Sequence, residues 1–260
     1  MDRLLEPQML DRIRAARGDA AAVALPWDRI ESLGWDAESV DAVWNKELLV
    51  RQSLSALTSS GSLNLAPGSD PRRPVMRRQD VFGLVPEMSD GPTEESVKDF
   101  VVNVNAWGYG DAGYAGHRTE AVVTEAAFEA SAGGALARLN QAVGPDEYPW
   151  ELDAYFFLLN NVGHVDGWGP AFFTKFLYFG DRRNQPGQAG GALILDQVMS
   201  ERLRDLVVDT SVVPGRYRFR SSRWTTPEYA FYLAIVRRVA HHVGCRADRV
   251  EAVLFNQGRA

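Results

Sequence analysis

Between Tyr155 and Asp196 the chain combines residue types and spacings that suit gripping a phosphate and placing one carboxylate beside a sugar. An apolar helix leads into the hairpin V-D-G-W-G-P, Val165 to Pro170. A second helix then carries one lysine, Lys175, and the segment L-I-L-D ends on Asp196. Gly167 and Gly169 have no Cβ and can adopt φ > 0, while Pro170 suits the first turn of a helix whose leading N–H groups lack partners. Such a turn can present several backbone donors to one anion. An ionised carboxylate near a sugar stabilises positive charge building on the ring and can orient an attacking water. A lysine amine would instead attack the sugar carbon and form a Schiff base, provided part of it is held neutral. Taken without its surroundings, Asp196 is a plain helix N-cap ahead of Gln197 to Leu206.

The run G-W-G-P followed by A-F-F-T-K-F-L-Y-F, and later L-I-L-D-Q-V-M, resembles the helix-hairpin-helix DNA glycosylases, in particular the bacterial branch with an 8-oxoguanine-glycosylase fold. The resemblance covers Trp150 to Leu206. It implies a mostly α-helical, two-lobed helix-hairpin-helix fold over residues 1–260, with the motif at about 150–180 and the catalytic aspartate's helix at about 196–206. It also implies an enzyme that binds double-stranded DNA containing a modified base, flips a nucleotide into a cleft and cuts the base from its sugar. Asp196 takes the place of the aspartate that both caps its helix and acts at the sugar. The hairpin, Val165, Gly167, Trp168 and Gly169, takes the place of the DNA-backbone contact; Trp168 is expected at its tip, exposed unless it meets DNA or a neighbouring loop, with packing beneath the hairpin as the equal alternative.

Two departures from the family pattern sharpen the expectation. Lyase-competent members carry their lysine two residues after the last hairpin glycine, where this chain has Ala171. Lys175 lies one helical turn further on roughly the same face, which makes it the second catalytic candidate. Members also often place a phosphate-contacting histidine two residues after the aspartate, where Val198 stands. Base release without efficient strand cleavage is therefore expected, leaving an abasic site. The displaced lysine and a glycine-aromatic segment favour a bulky hypermodified base, such as a glucosylated cytosine of phage DNA removed as antiviral defence. Oxidised guanine in genome repair, with or without lyase activity, is the alternative, and a non-catalytic DNA-binding protein is the rival class.

The elements that must hold these groups read as mostly helical. Leu4 to Arg17 and Ala37 to Leu57 show apolar residues at spacings of three and four and read as scaffold. Ser59 to Pro92 is rich in Gly, Pro, Ser and Arg and reads as a long, solvated loop, although Arg72, Arg73, Arg77 and Arg78 could touch DNA backbone. Thr93 opens a helix that runs into N-A-W-G-Y-G-D-A-G-Y-A-G, Asn105 to Gly116, a mixture poor for helix or strand. Trp107, Tyr109 and Tyr114 there are expected to wall a base pocket, with an ordinary loop as the bland alternative. Helices are expected over Arg118 to Val143, Tyr148 to Asn161, Thr226 to Val243 and Arg249 to Gln257. The ring-rich arms around the hairpin, Tyr155 to Phe157 and Phe172 to Phe179, read as core.

Composition bounds the partners. With 260 residues and 45% hydrophobic content the chain can bury a real core. No apolar run approaches the roughly 20 residues that span a bilayer, and the start M-D-R-L-L-E-P lacks a secretory h-region, so a cytoplasmic protein is expected. The single cysteine, Cys245, excludes an internal disulfide, a zinc finger and a four-cysteine iron–sulfur cluster, and with four histidines a metal site has few ligands to draw on. No cofactor and no metal are expected, and the protein is expected to act as a monomer. The net charge of −6 opposes nucleic-acid binding, but from Asp196 onward 11 Lys+Arg stand against 7 Asp+Glu, which leaves 17 against 27 for the remainder. Arg216, Arg218, Arg220 and Arg223 in R-Y-R-F-R-S-S-R-W would lie on one side of an extended segment, either facing phosphates or as a solvated edge.

Overall fold

The computed structural model describes residues 4–67, 69–70, 72–85, 93–141, 149–160, 162–185, 190–207, 217, 219 and 222–257. Helix α1 (Pro7–Ala22) starts where Pro7 takes the first helical position, so Leu4 and Leu5 lie ahead of it and donate their N–H groups to Asp153 Oδ1 at 2.9 and 3.2 Å. Short α2 (Trp27–Glu31) and α3 (Ala37–Trp44) follow, the latter capped by Asp36, which accepts from Ser39 N. The helix expected as far as Leu57 stops at Trp44. Beyond it Leu48–Leu49 form strand β1, paired antiparallel with β2 (Val75–Met76), and Gln52–Leu57 make a 3-10 turn. The apolar spacing that suggested one long helix serves three separate elements.

Inside the stretch expected to be loop lies α4 (Arg78–Phe82), where Arg77 N donates to Asp80 Oδ2 at 2.8 Å. Its arginines are not free cations: Arg77 pairs with Glu47, and Arg78 is buried against Glu251. Helix α5 (Glu94–Tyr109) is capped by Thr93 and ends at Gly110, whose φ of +62° suits glycine. It therefore continues through Trp107, Gly108 and Tyr109, where a helix break was expected. Burial overrides propensity here, because Trp107 packs edge-on against Phe179 with centroids 5.1 Å apart. The helix expected over 118–143 is two, α6 (Ala115–Val123) and α7 (Phe128–Leu139).

Helices α8 (Trp150–Leu159) and α9 (Pro170–Gly180) flank the hairpin as expected, followed by α10 (Gln197–Val207). Helix α11 (Thr226–Val243) has a capping box between Thr225 and Glu228 and stops at Gly244, φ +70°, before α12 (Ala247–Asn256). The fold is mostly α-helical with a helix-hairpin-helix at its centre. Helix α1 lies along α11, α7 on α8, and α3 on α12. Aromatic rings fill the core between the hairpin arms and α11: Tyr155 stacks on Tyr229 at 4.3 Å and meets Phe173 edge-on at 5.1 Å.

Candidate active site

The hairpin exposes its backbone rather than its large side chains. Gly167 has φ +78°, whereas Gly169 is extended at φ −77°, ψ 171° and serves as the N-cap of α9. Only the first glycine uses the left-handed conformation. Trp168 is buried, packed on Phe128 at 5.8 Å and Phe176 at 5.0 Å, and Val165 is buried beside it. Of the two placements open to Trp168, the structure shows the one beneath the hairpin, not an exposed tip, because the space there accepts the indole. Among the described residues no acceptor takes the backbone N–H of Gly167, Gly169 or Ala171. Three donors therefore remain at the turn and the start of α9, where the helix dipole adds positive potential.

Asp196 is delivered by an extended, buried segment that belongs to no sheet. Its backbone is satisfied by side chains instead. Ala192 N donates to Asp181 Oδ2 at 2.9 Å, Leu193 N to the Tyr229 hydroxyl at 3.1 Å, and Ile194 N to Glu251 Oε2 at 2.9 Å. Tyr232 donates its hydroxyl proton to the Ile194 carbonyl at 2.6 Å, and Thr174 Oγ1 both accepts from Leu195 N and lies 3.2 Å from its carbonyl. Glycine is required at 191, since a Cβ there would sit 2.1 Å from Asp181 Oδ2. Behind it Glu151 holds Arg237, which donates to the Gly191 carbonyl, and Arg183, which also clasps Asp181. Burial works against the Glu151 charge, but the two guanidiniums outweigh it and hold the carboxyl below the usual range.

At the end of this segment Asp196 does two things at once. Its Oδ1 accepts from Met199 N at 3.0 Å, capping α10, and its Oδ2 lies 3.3 Å from Lys175 Nζ. The ammonium also donates to the Ala171 carbonyl at 2.7 Å and lies 5.4 Å from the Phe172 ring centroid. The lysine stem passes over Gly108 of α5, where a Cβ would fall 2.7 Å from Cδ. Both charged groups are largely shielded, with side-chain exposures of 8% for Lys175 and 15% for Asp196.

The pair lines a cavity of about 440 Å³ that also receives Trp107, Tyr109, Arg78 and Glu251. Tyr109 stacks on Phe172 at 4.2 Å, and burial, opposed by Arg118, pushes its phenol up to about 12. Tyr114 stands outside the cavity, mostly exposed, edge-on to Tyr109 at 5.6 Å and under the Arg118 guanidinium. Arg78 and Glu251 were invisible as site residues in the sequence because their 2.8 Å bridge joins positions 173 apart. Burial raises the Glu251 carboxyl in spite of Arg78. Arg223 is exposed with φ +64°, and Arg216, Arg218 and Arg220 lie outside the described residues. Among the described residues no cluster of three His, Cys, Asp or Glu side chains could hold a metal, and no helix is long and apolar enough to cross a membrane.

Comparison with known proteins gives one match. No curated protein and no solved structure matched the chain. A family model described as "Putative 8-oxoguanine DNA glycosylase OGG-like protein" matches residues 31–255, a span that contains the hairpin, Lys175, the extended segment and Asp196. With the match covering most of its length, the chain belongs to the OGG-like family of DNA glycosylases.

Proposed function

We propose that the protein is a monofunctional DNA glycosylase in which Asp196 drives release of a modified base from a flipped-out nucleotide. The observation that carries this reading is the placement of Asp196 Oδ2 and Lys175 Nζ, 3.3 Å apart, on the wall of the 440 Å³ cavity. The hairpin that leads into α9 supplies unaccepted N–H groups for a phosphate, and Arg223, with Arg216, Arg218 and Arg220, adds cations for the flanking backbone. The nucleotide enters the cleft between the α3–β1 side of the cavity and the α9–α10 side, and the base lies against Trp107 and Tyr109. As the N-glycosidic bond lengthens, the Asp196 carboxylate offsets the positive charge on the sugar and orients the water that replaces the base.

Lys175 supports Asp196 in this reading rather than attacking the sugar. Both of its polar partners, the Asp196 carboxylate and the Ala171 carbonyl, are acceptors, which suits an ammonium better than an amine that must offer a lone pair. Base release without nicking follows, by a monomer acting in the cytoplasm. For the substrate we favour a bulky hypermodified base such as a glucosylated cytosine in phage DNA, because the cavity falls in the ~300–1,000 Å³ range that accommodates sizeable small molecules. Oxidised guanine is the second reading, favoured by the family description. The test is to incubate the protein with duplexes carrying glucosylated 5-hydroxymethylcytosine or 8-oxoguanine and to follow released base by mass spectrometry. Release of either base supports the glycosylase reading and chooses the substrate. Tight duplex binding with no base released from a wider panel of modified DNAs overturns it in favour of a pure DNA-binding role.

A further inference from the structure

Two donors on the cavity wall have nothing to donate to. Trp107 and Arg78 both line the cavity and are 8% and 5% exposed. Among the described residues Trp107 Nε1 and Arg78 Nη1 have no hydrogen-bond partner. They are neighbours, since the Arg78 guanidinium carbon lies 5.1 Å from the indole centroid. The acceptors close by are already used. Of the Glu251 oxygens, one takes Arg78 Nη2 and the other takes Ile194 N. The Tyr178 hydroxyl, beneath the other face of Arg78, donates to Asp248 and accepts from Trp44 Nε1. With the nearest acceptors engaged by other donors, these two nitrogens are left over, and buried donors are normally paired.

We infer that Trp107 Nε1 and Arg78 Nη1 form a specificity subsite for an exocyclic carbonyl oxygen of the excised base, so that the cavity selects keto bases over bases that carry only amino groups. The inference rests on the proposed base pocket and adds to it the chemical class that the pocket reads. Both nitrogens are closed off by the surrounding side chains, so the acceptor reaches them as the base seats against the indole edge and turns it. Arg78 is suited to the task because the other arm of its fork is fixed by Glu251, which holds the Nη1 amino group in a set direction. The same Glu251 binds Ile194 N, two residues before Asp196. Seating a carbonyl on Arg78 therefore fixes the base against the very frame that carries the carboxylate. A base with amino groups alone brings donors to donors and leaves all of them unpaired.

The test variant is Trp107→Phe, which keeps an aromatic ring against Phe179 and removes the indole N–H together with part of the bicyclic ring. We would titrate free 8-oxoguanine, guanine, 5-hydroxymethylcytosine, adenine and purine into the wild-type protein and follow binding by calorimetry and ligand-induced change in Tm. At least one keto base is expected to bind, with adenine and purine at least tenfold weaker. Trp107→Phe should lose about tenfold in keto-base affinity while its own Tm without ligand falls only modestly, because the loss of an unpaired buried donor offsets part of the lost packing. Arg78→Lys, which keeps the charge but withdraws the second N–H, should lose the same preference. The inference is overturned if no keto base binds, if purine binds as well as the keto bases, or if the preference survives in Trp107→Phe. Keto-base binding without base release from any duplex would sink the glycosylase reading and leave the subsite standing. Base release that is unchanged in Trp107→Phe would do the reverse.

Discussion

Two buried glutamates grip opposite ends of the segment that carries Asp196, and they are partnered very differently. Glu151, at the Gly191 end, is shared by Arg183 and Arg237, and its carboxyl is held below the ordinary range. Glu251, at the Ile194 end, has one arginine, Arg78, and burial raises its carboxyl. The first end is over-supplied with counter-charge and closes on itself. The second leaves Arg78 Nη1, on a residue of the cavity wall, without a partner among the described residues. Counter-charge and incomplete hydrogen bonding are thus separated along four residues of backbone, Gly191 to Ile194, with the first at the end remote from Asp196 and the second at the end beside it.

The sharpest way to test that separation is at Asp196 itself. Asp196→Asn still offers an oxygen to Met199 N, so Tm and duplex affinity should hold, while single-turnover base release falls by about 10²–10³-fold, the range for removing one preorganised charge-stabilising group. Full activity would remove Asp196 from the mechanism. At the other end Glu151→Gln should cost roughly 2–3 kcal/mol in denaturant unfolding, less than the ~3–5 of a fully buried broken pair because Arg237 reaches solvent. The sign with pH is fixed by the depressed carboxyl. Its contribution is present above the unfolded value near 4.5 and disappears as pH falls through the lower folded value, so the gap between wild type and variant should close in acid. A gap that widens in acid would mean that the two ends do not differ as described.

Smaller effects are expected at the hairpin and at Lys175. A Cβ at Gly169 meets nothing within 4 Å, so Gly169→Val should leave Tm almost unchanged and weaken duplex binding by about tenfold through blocked phosphate approach. Gly167→Val should weaken binding similarly but also lower Tm, because its φ of +78° strains any side chain. Equal binding by Gly169→Val and wild type would take the hairpin off the DNA. The smallest change is expected for Lys175→Ala. It should reduce base release only a few-fold, through loss of one largely shielded ion pair beside a carboxylate that still holds its cap on α10, and borohydride should trap neither form on DNA. Robust trapping that vanishes in Lys175→Ala would convert the enzyme to a lyase.

What could be read from the chain follows how local each signal is. The arms of the hairpin, Pro170 at the head of α9 and the capping position of Asp196 depend on residues within a few positions of each other, and all appear in the structure. The break after Trp44 was hidden, because Val40, Val43, Trp44 and Leu48 keep a helical spacing although Leu48 belongs to a strand. The continuation of α5 through Gly108 was hidden for the opposite reason: the glycine that weakens a helix is the one that makes room for the Lys175 stem. Arg78 looked like a loop cation until α12 brought Glu251 to it, and Trp168 looked like a DNA probe until Phe128 and Phe176 covered it. Local pattern carries the motif, and only long-range packing reveals which polar groups are left over.

The extended segment before Asp196 has a consequence for how the enzyme comes into being. Its backbone partners, Asp181, Tyr229, Thr174 and Glu251, lie 11, 36, 21 and 57 residues away along the chain. No sheet neighbour can template it, so the carboxylate reaches its place only after α9, α11 and α12 have docked. Helical signal on refolding should therefore run ahead of base release, which is expected only once α12 is in place.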